Sequence, residues 1–273
     1  ELMILLRKKN PKTNVIGVDL KDGYDLTDYD TCLRVCKDVD EVYHLAGIKG
    51  NPKMTNEEPF SFMTPMATFN MNMIRAATKL GIKKFLYTSS IAVENPQTDK
   101  YPALAKMIGE EMINAYRIQF KGKGTQFCIV RPANVFGRFD NLNTQHLMVV
   151  SNLIKKCLMA RKVNQDSIEM WGDGKQIRDF ISAEDVAKGM IRCMEVMPEV
   201  PINLCSGKGI TILKVAKAIC EELKIDYIEH DLSKPTGDKK RVMKSNCKLI
   251  GFKPEKNILH QIKEVARWMR KNQ

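Results

Sequence analysis

Short apolar runs alternate with longer stretches of helical period along the first half of this chain, and that alternation limits the folds open to it. Val15 to Asp19, Glu41 to Ala46, Lys84 to Ser90 and Thr125 to Arg131 read as strands. Between them Thr27 to Lys37, Pro65 to Leu80 and Ala103 to Phe120 carry apolar residues at helical spacing. Four buried strands separated by helices of this length read as βαβ units around a parallel sheet. The expected class is α/β, with a doubly wound parallel sheet. Gly81 closes the second helix and Pro132 is expected to stop the fourth strand.

After Asn134 the pattern changes. A helix from His146 to Arg161 leads to a strand at Ile168 to Trp171 and a Gly-Asp-Gly turn. Ser182 and Asp185 open the next helix in the manner of a capping box. A strand at Ile202 to Cys205, a helix from Thr211 to Leu223, a polar and basic stretch from Asp231 to Lys244, and a helix from Asn257 to Lys271 complete the chain. The expected division is residues 1–145 for the first domain and 146–273 for a smaller lobe, partly threaded back into the first.

Lys plus Arg exceed Asp plus Glu by 44 to 32, a net charge of +12 over 273 residues. Such a charge suits an anionic partner and does not choose among them. No apolar run reaches the roughly 18 residues of a membrane span. The eight cysteines include no C-x-x-C, and the four histidines form no ligand spacing. Reduced thiols, a cytoplasmic setting and no metal are expected, with Cys128 and Cys205 as core residues. Residues 1–9 read as the back half of an amphipathic helix, starting at Glu1 in mid-pattern, which suggests a trimmed fragment.

Several local strings stand in a suggestive order. They are Tyr43-His-Leu-Ala-Gly-Ile-Lys-Gly50, Tyr87-Thr-Ser-Ser90, Val130-Arg-Pro-Ala-Asn-Val-Phe-Gly137 with Asp140-Asn141, and Trp171-Gly-Asp-Gly with Ile177-Arg-Asp-Phe-Ile181. Asn203-Leu-Cys-Ser-Gly207 and Pro235-Thr-Gly-Asp238 with Arg241 follow. Together they resemble the extended short-chain dehydrogenase/reductases, the NAD-dependent epimerase/dehydratase family, and most nearly its GDP-L-fucose-synthase-like members. The resemblance implies a Rossmann-like sheet with an interleaved substrate lobe. It also implies a nucleotide-sugar substrate and hydride transfer through a keto-sugar intermediate.

For the cofactor, Asp19 at the end of the first expected strand would accept hydrogen bonds from the adenosine ribose and repel a 2′-phosphate, which favours NAD over NADP. The resemblance places Asp25 and Leu26 at the adenine. Leu45, Ala46 and Gly47 end the second strand, where small residues let the backbone approach a cofactor. The resemblance also assigns Thr88 and Pro132 to the cofactor. The family's glycine-rich phosphate loop has no counterpart here, since the chain contains no G-x-x-G-x-x-G. Dinucleotide affinity is expected to suffer if these residues are the whole molecule.

The resemblance assigns catalysis to a Ser, a Tyr and a Lys four residues after that Tyr. Ser90 and Lys106 fit. Lys106, which also holds the nicotinamide ribose, would lower the phenol pKa so that it exchanges protons with the sugar hydroxyl. The tyrosine is out of register: Pro102 stands four before Lys106 and Tyr101 five before. Tyr101, held just outside the helix, is the candidate phenol, and a reshaped or weak site is the alternative. Ile91 and Met148 stand where fucose synthases place a Cys and a His for epimerisation, with His146 two residues away. Asn134, Arg178 and Arg241, with Ser90, are expected to hold the substrate, the arginines gripping its pyrophosphate through paired hydrogen bonds. Trp171 is either a base-pocket or a core residue.

Two other classes remain. One is a non-catalytic protein that binds NAD or a nucleotide-sugar. The other is an RNA-binding relative, supported by net charge alone and lacking interleaved aromatic residues. A homodimer through the helices at 65–80 and 103–120 is the expected assembly.

Overall fold

A computed structural model describes residues 1–48, 55, 57–97, 100–144, 147–234, 238–255 and 257–272. In the first half, helix α1 (Leu2–Lys9) and helix α2 (Tyr29–Cys36) precede strand β1 (Glu41–His44). Helix α3 (Pro59–Leu80), strand β2 (Lys84–Thr88), helix α4 (Lys100–Phe120), strand β3 (Gln126–Pro132) and the short β4 (Asn134–Phe136) follow. The second half runs α5 (Val149–Lys162), β5 (Ser167–Trp171), β6 (Ile177–Ser182), α6 (Ala183–Val196), β7 (Ile202–Leu204) and β8 (Gly209–Thr211). It ends with α7 (Ile212–Leu223), β9 (Tyr227–Asp231), β10 (Lys240–Arg241) and α8 (Ile258–Lys271).

The main sheet is parallel, in the order β1-β2-β3-β7. Side chains alternate across a strand, so each strand serves two cores. Phe85, Tyr87, Phe127 and Ile129 pack with Met73, Ala76, Ala77 and Ile113 of α3 and α4. Leu86, Cys128 and Val130 face the other way, onto Val186, Met190 and Cys193 of α6. This is the doubly wound α/β arrangement expected from the apolar runs, and β7 brings the second half of the chain back into the first sheet.

A second sheet, β10-β6-β4 with β8 antiparallel to β6, carries the segments around Asn134, Arg178 and Arg241. A third, β5 with β9, packs beside α5, α7 and α8 around Ile154, Ile168, Ile219 and Ile262. All eight cysteines are buried and none is in a disulfide. No helix among the described residues is long and apolar enough to cross a membrane.

Several expected boundaries move. Val15 to Asp19 is not a strand: the segment is extended but has no ladder partner among the described residues, and a strand exists only through its neighbours' hydrogen bonds. Helix α3 starts six residues earlier than expected, with Pro59 in its first turn and Pro65 accommodated inside it. Pro132 does not stop β3 but closes it, paired with Leu204, and the next ladder bond is supplied by Ala133 N–H to Leu204 O. The expected helix start at His146 lies outside the described residues, and α5 is regular only from Val149. Ser182 accepts the Asp185 N–H as expected, but the Asp185 carboxylate turns away from the cap to Gln261 and the Glu255 N–H.

Helix α4 approaches β2 closely because Gly109 faces the buried Tyr87. A Cβ at Gly109 would lie 2.4 Å from Tyr87 Cζ and 2.5 Å from its hydroxyl, and the ring has no exposed surface into which to move. Gly109→Ala is expected to lose about 1–3 kcal/mol to overpacking, more than the helix propensity gain of up to about 1 kcal/mol. A lowered urea midpoint at unchanged m-value checks it.

Candidate active site

The carboxyl ends of β1, β2 and β3 lie on one edge of the sheet, and α4 delivers Lys106 to that edge. Its Nζ donates to Thr88 O at 2.9 Å and to Ala46 O at 3.3 Å, the residues at and just beyond the ends of β2 and β1. Gly47 faces the same ammonium: a Cβ there would stand 4.0 Å from Nζ. Lys106 is 7% exposed, and burial lowers its pKa to about 8. Ala46, Gly47, Thr88 and Lys106 are thus brought together as the sequence suggested. Leu45 beside them is exposed.

Beneath Lys106 lies a buried polar scaffold that the sequence reading missed. Tyr87 donates to the Lys106 carbonyl at 3.0 Å. His44 stacks on the Tyr87 ring, and its Nε2 meets Asn70 Oδ1 at 2.9 Å. Asn70 spends its amide N–H on Ala105 O, so its oxygen accepts and His44 Nε2 carries the proton. Burial first, then the Lys106 charge, lowers the His44 pKa to about 3, and the bond to Asn70 opposes them only in part. His44 is therefore neutral and structural. Burial and the charge of Glu110 push the Tyr87 phenol well above its usual range, so it is no proton donor to a substrate. In sequence His44 shows only as a polar residue in an apolar strand, and Asn70 as one on a helix's buried face.

Ser90 caps the 3-10 turn Ile91–Glu94 by accepting the Ala92 N–H at 3.1 Å, which leaves its own hydroxyl hydrogen to donate. Thr88 Oγ1 and Ser89 Oγ are buried without a hydrogen-bond partner at this same edge. Orphaned hydroxyls beside a buried ammonium fit a polar ligand seated there, since such groups cost about 1–3 kcal/mol when unpaired.

Tyr101 departs from expectation. It lies inside the first turn of α4, not outside it. Five residues turn it about 140° from Lys106, at about 100° per residue. Pro102 occupies the register one turn before the lysine. The Tyr101 ring lies 5.5 Å from the Lys100 ammonium, and its hydroxyl makes no hydrogen bond among the described residues.

The remaining expected cofactor residues are Asp19, Asp25, Leu26 and Pro132. Asp19 caps the 3-10 turn Leu20–Asp22, accepting the Lys21 N–H at 3.1 Å. Asp25 accepts the Thr27 N–H and hydroxyl, which lowers its pKa. Leu26 is half-buried against α3, its carbonyl accepting from Asn72. Pro132 is half-buried at the end of β3.

On the substrate side, Asn134 donates to Asp179 O at 2.7 Å, tying β4 to β6. Arg178 and Arg241 are register partners on adjacent parallel strands. Arg178 donates to the Asp238 carbonyl at 2.8 Å, and Arg241 pairs with the Asp238 carboxylate. Asp179, fully buried, accepts from Ser206 N, Ser206 Oγ and Gly207 N and so pins the turn beside the arginines. Burial raises the Asp179 pKa and those three bonds oppose the rise. Trp171 is 54% exposed and is not a core residue. Met148 lines a cavity of about 410 Å³ with Ala133, Val135, Phe136, Phe139 and Asp140.

The model of the NAD dependent epimerase/dehydratase family matches residues 5–205. This chain belongs to that family. A probable GDP-L-fucose synthase of Oryza sativa subsp. japonica is 27% identical over 78% of the chain and 71% of its own length. A dTDP-4-dehydro-6-deoxy-D-allose reductase of a Streptomyces species is 24% identical over 99% of the chain and 89% of its own length. The solved GDP-L-fucose synthetase of Naegleria fowleri, bound to NADP, superposes with a TM-score of 0.84 at 26% identity, covering 99% of this chain and 89% of that one. The family membership expected from the motif order is borne out. By name these relatives act on nucleotide-linked sugars, the substrate class that the sequence suggested.

Asn70→Ala would leave the His44 N–H buried and unpaired. The expected loss is about 1–3 kcal/mol of unfolding free energy, read by urea titration.

Proposed function

We propose that this chain is a nicotinamide-dinucleotide-dependent reductase of nucleotide-linked keto-sugars that does not epimerise its substrate. The observation that carries the reading is the Lys106 ammonium at the sheet's carboxyl edge, facing Gly47, with the orphaned hydroxyls of Thr88 and Ser89 at the end of the adjoining strand. Inverting a carbon beside a carbonyl needs a base and an acid on opposite faces of the ring. Ile91 and Met148 supply neither, although Met148 lines the cavity beside β4. The name of the Streptomyces relative, a 4-dehydro-sugar reductase, agrees with this.

The bound dinucleotide would supply hydride to the carbonyl carbon. Ala46, Gly47, Thr88, Lys106 and Pro132 would hold its nicotinamide end, and Asp19, Asp25 and Leu26 its adenosine end. The exposed Asp19 carboxylate favours NAD, whereas the Naegleria relative was solved with NADP. Ser90 would orient the sugar oxygen through its free hydroxyl hydrogen. Two Lys106 N–H groups are spent on carbonyls, and the third remains to protonate that oxygen. A pKa of about 8 suits a general acid working near neutrality. Asn134, Arg178 and Arg241 would grip the nucleotide-sugar, the guanidinium pair taking the pyrophosphate.

Incubation with NADH or NADPH and a GDP- or dTDP-linked 4-keto-6-deoxyhexose in D2O tests the reading. Reduced nicotinamide is expected to be consumed, with no deuterium at the carbons flanking the carbonyl. Deuterium there, or no turnover, overturns it. Lys106→Met is expected to lose about 10²–10⁴ in kcat, as for removal of a general acid. Tyr101→Phe is expected to stay within about threefold, being off the Lys106 face; a loss matching that of Lys106→Met would restore the phenol as the acid. Because the Lys106 pKa is lowered to about 8, kcat should fall as pH rises through that value. Binding without turnover is the second reading, favoured by Pro102 in the tyrosine register. It holds if ligand raises Tm while no reduced nicotinamide is consumed.

A further inference from the structure

Lys106 is not alone on its face of α4. Glu110 stands four residues on, in the adjacent helical turn, and its side chain is 6% exposed. Its two carboxylate oxygens receive Arg131 Nε at 2.9 Å and Arg131 Nη2, a two-pronged pair from β3. The other arm of the same guanidinium, Nη1, donates at 2.7 Å to Glu94 Oε1. Glu94 is the last residue of the 3-10 turn that Ser90 caps. One guanidinium therefore joins the helix that carries Lys106, the strand ending beside it, and the turn that carries Ser90.

The two arms differ in exposure. Glu110 is buried, so removing it would strand a guanidinium in the interior and endanger the fold. The Glu94 side chain is 42% exposed, so its arm can be cut without such a penalty. On the far side Asn203 of β7 reaches the same Glu94 oxygen at 3.5 Å, and its position is set by Lys244 O and Asn246. Local bonds in the turn are Ala92 N–H to Ser90 Oγ at 3.1 Å, Val93 N–H to Ser90 O at 3.2 Å and Asn95 N–H to Ala92 O at 3.3 Å, with Ala92 buried beneath it. A short 3-10 turn of this kind has little stability of its own.

We infer that Glu94 and Arg131 are positioning residues: the Glu94–Arg131–Glu110 bridge sets the Ser90 hydroxyl relative to the Lys106 ammonium. The bridge acts through geometry and touches no substrate atom. For turnover, the inference rests on the reductase reading above; for the turn itself, it stands alone.

The test uses the full chain with Glu94→Ala and Glu94→Gln. The Gln variant keeps an oxygen for the Arg131 N–H and should rescue. Amide hydrogen exchange is read first. In Glu94→Ala the Val93 and Asn95 amides should exchange about tenfold faster, with α4 amides unchanged and Glu94→Gln near wild type. Kinetics with reduced nicotinamide and the same keto-sugar nucleotides are read second. The expected result for Glu94→Ala is a kcat lowered about tenfold at a KM within twofold, because a misplaced hydroxyl weakens the transition state more than the ground state. Wild-type exchange in Glu94→Ala overturns the bridge. Faster exchange with unchanged kcat overturns its positioning role. If the wild-type chain shows no turnover, the reductase reading fails and the exchange result alone decides the bridge.

Discussion

A single buried ammonium organises this molecule. Lys106 lies between the carbonyls of Ala46 and Thr88, so one side chain of α4 clasps the ends of two parallel strands. A lysine so buried sacrifices hydration, and its lowered pKa records that cost. The surroundings compensate by supporting the helix from below. Tyr87 holds the Lys106 carbonyl, Asn70 holds that of Ala105, and His44 braces both. Gly109 lets the helix come close enough for these bonds to form.

The charge of the site is built in two layers around that ammonium. Arg131 and Glu110 form a buried pair one turn along the helix, and Glu94 extends it outward to the Ser90 turn. On the second sheet Asp179 is held by three donors and anchors the turn next to Arg178. Each buried charge thus has partners that satisfy it, the condition under which charges persist in an interior. Ser90 and Arg178 themselves are half-buried.

The departures at the start of α4 and in the first expected strand sit on an α/β scaffold that otherwise forms. Apart from Val15 to Asp19, the expected strands and helices form, with shifted boundaries. The residue one turn before Lys106 is a proline, and Met148 lines the cavity beside β4. A fold tolerates such changes because its stability resides in the two cores flanking the main sheet, to which Pro102 and Met148 contribute no buried side chain.

The sequence by itself determined the α/β class, since short apolar runs between helical stretches have few other ways to bury themselves. Motif order also disclosed the family, with Ser90, Lys106, Asn134, Arg178 and Arg241. The spacing of Tyr101 and Lys106 was legible as a defect. Only the tertiary structure decided that Tyr101 belongs to the helix. It also decided that Val15 to Asp19 forms no ladder and that β3 continues through Pro132. These outcomes depend on which segments become neighbours, and local periodicity carries no such information. The same holds for His44, Asn70, Glu94, Glu110 and Arg131. Each is an ordinary polar residue in sequence, and each acquires its role from a partner at least 21 residues away.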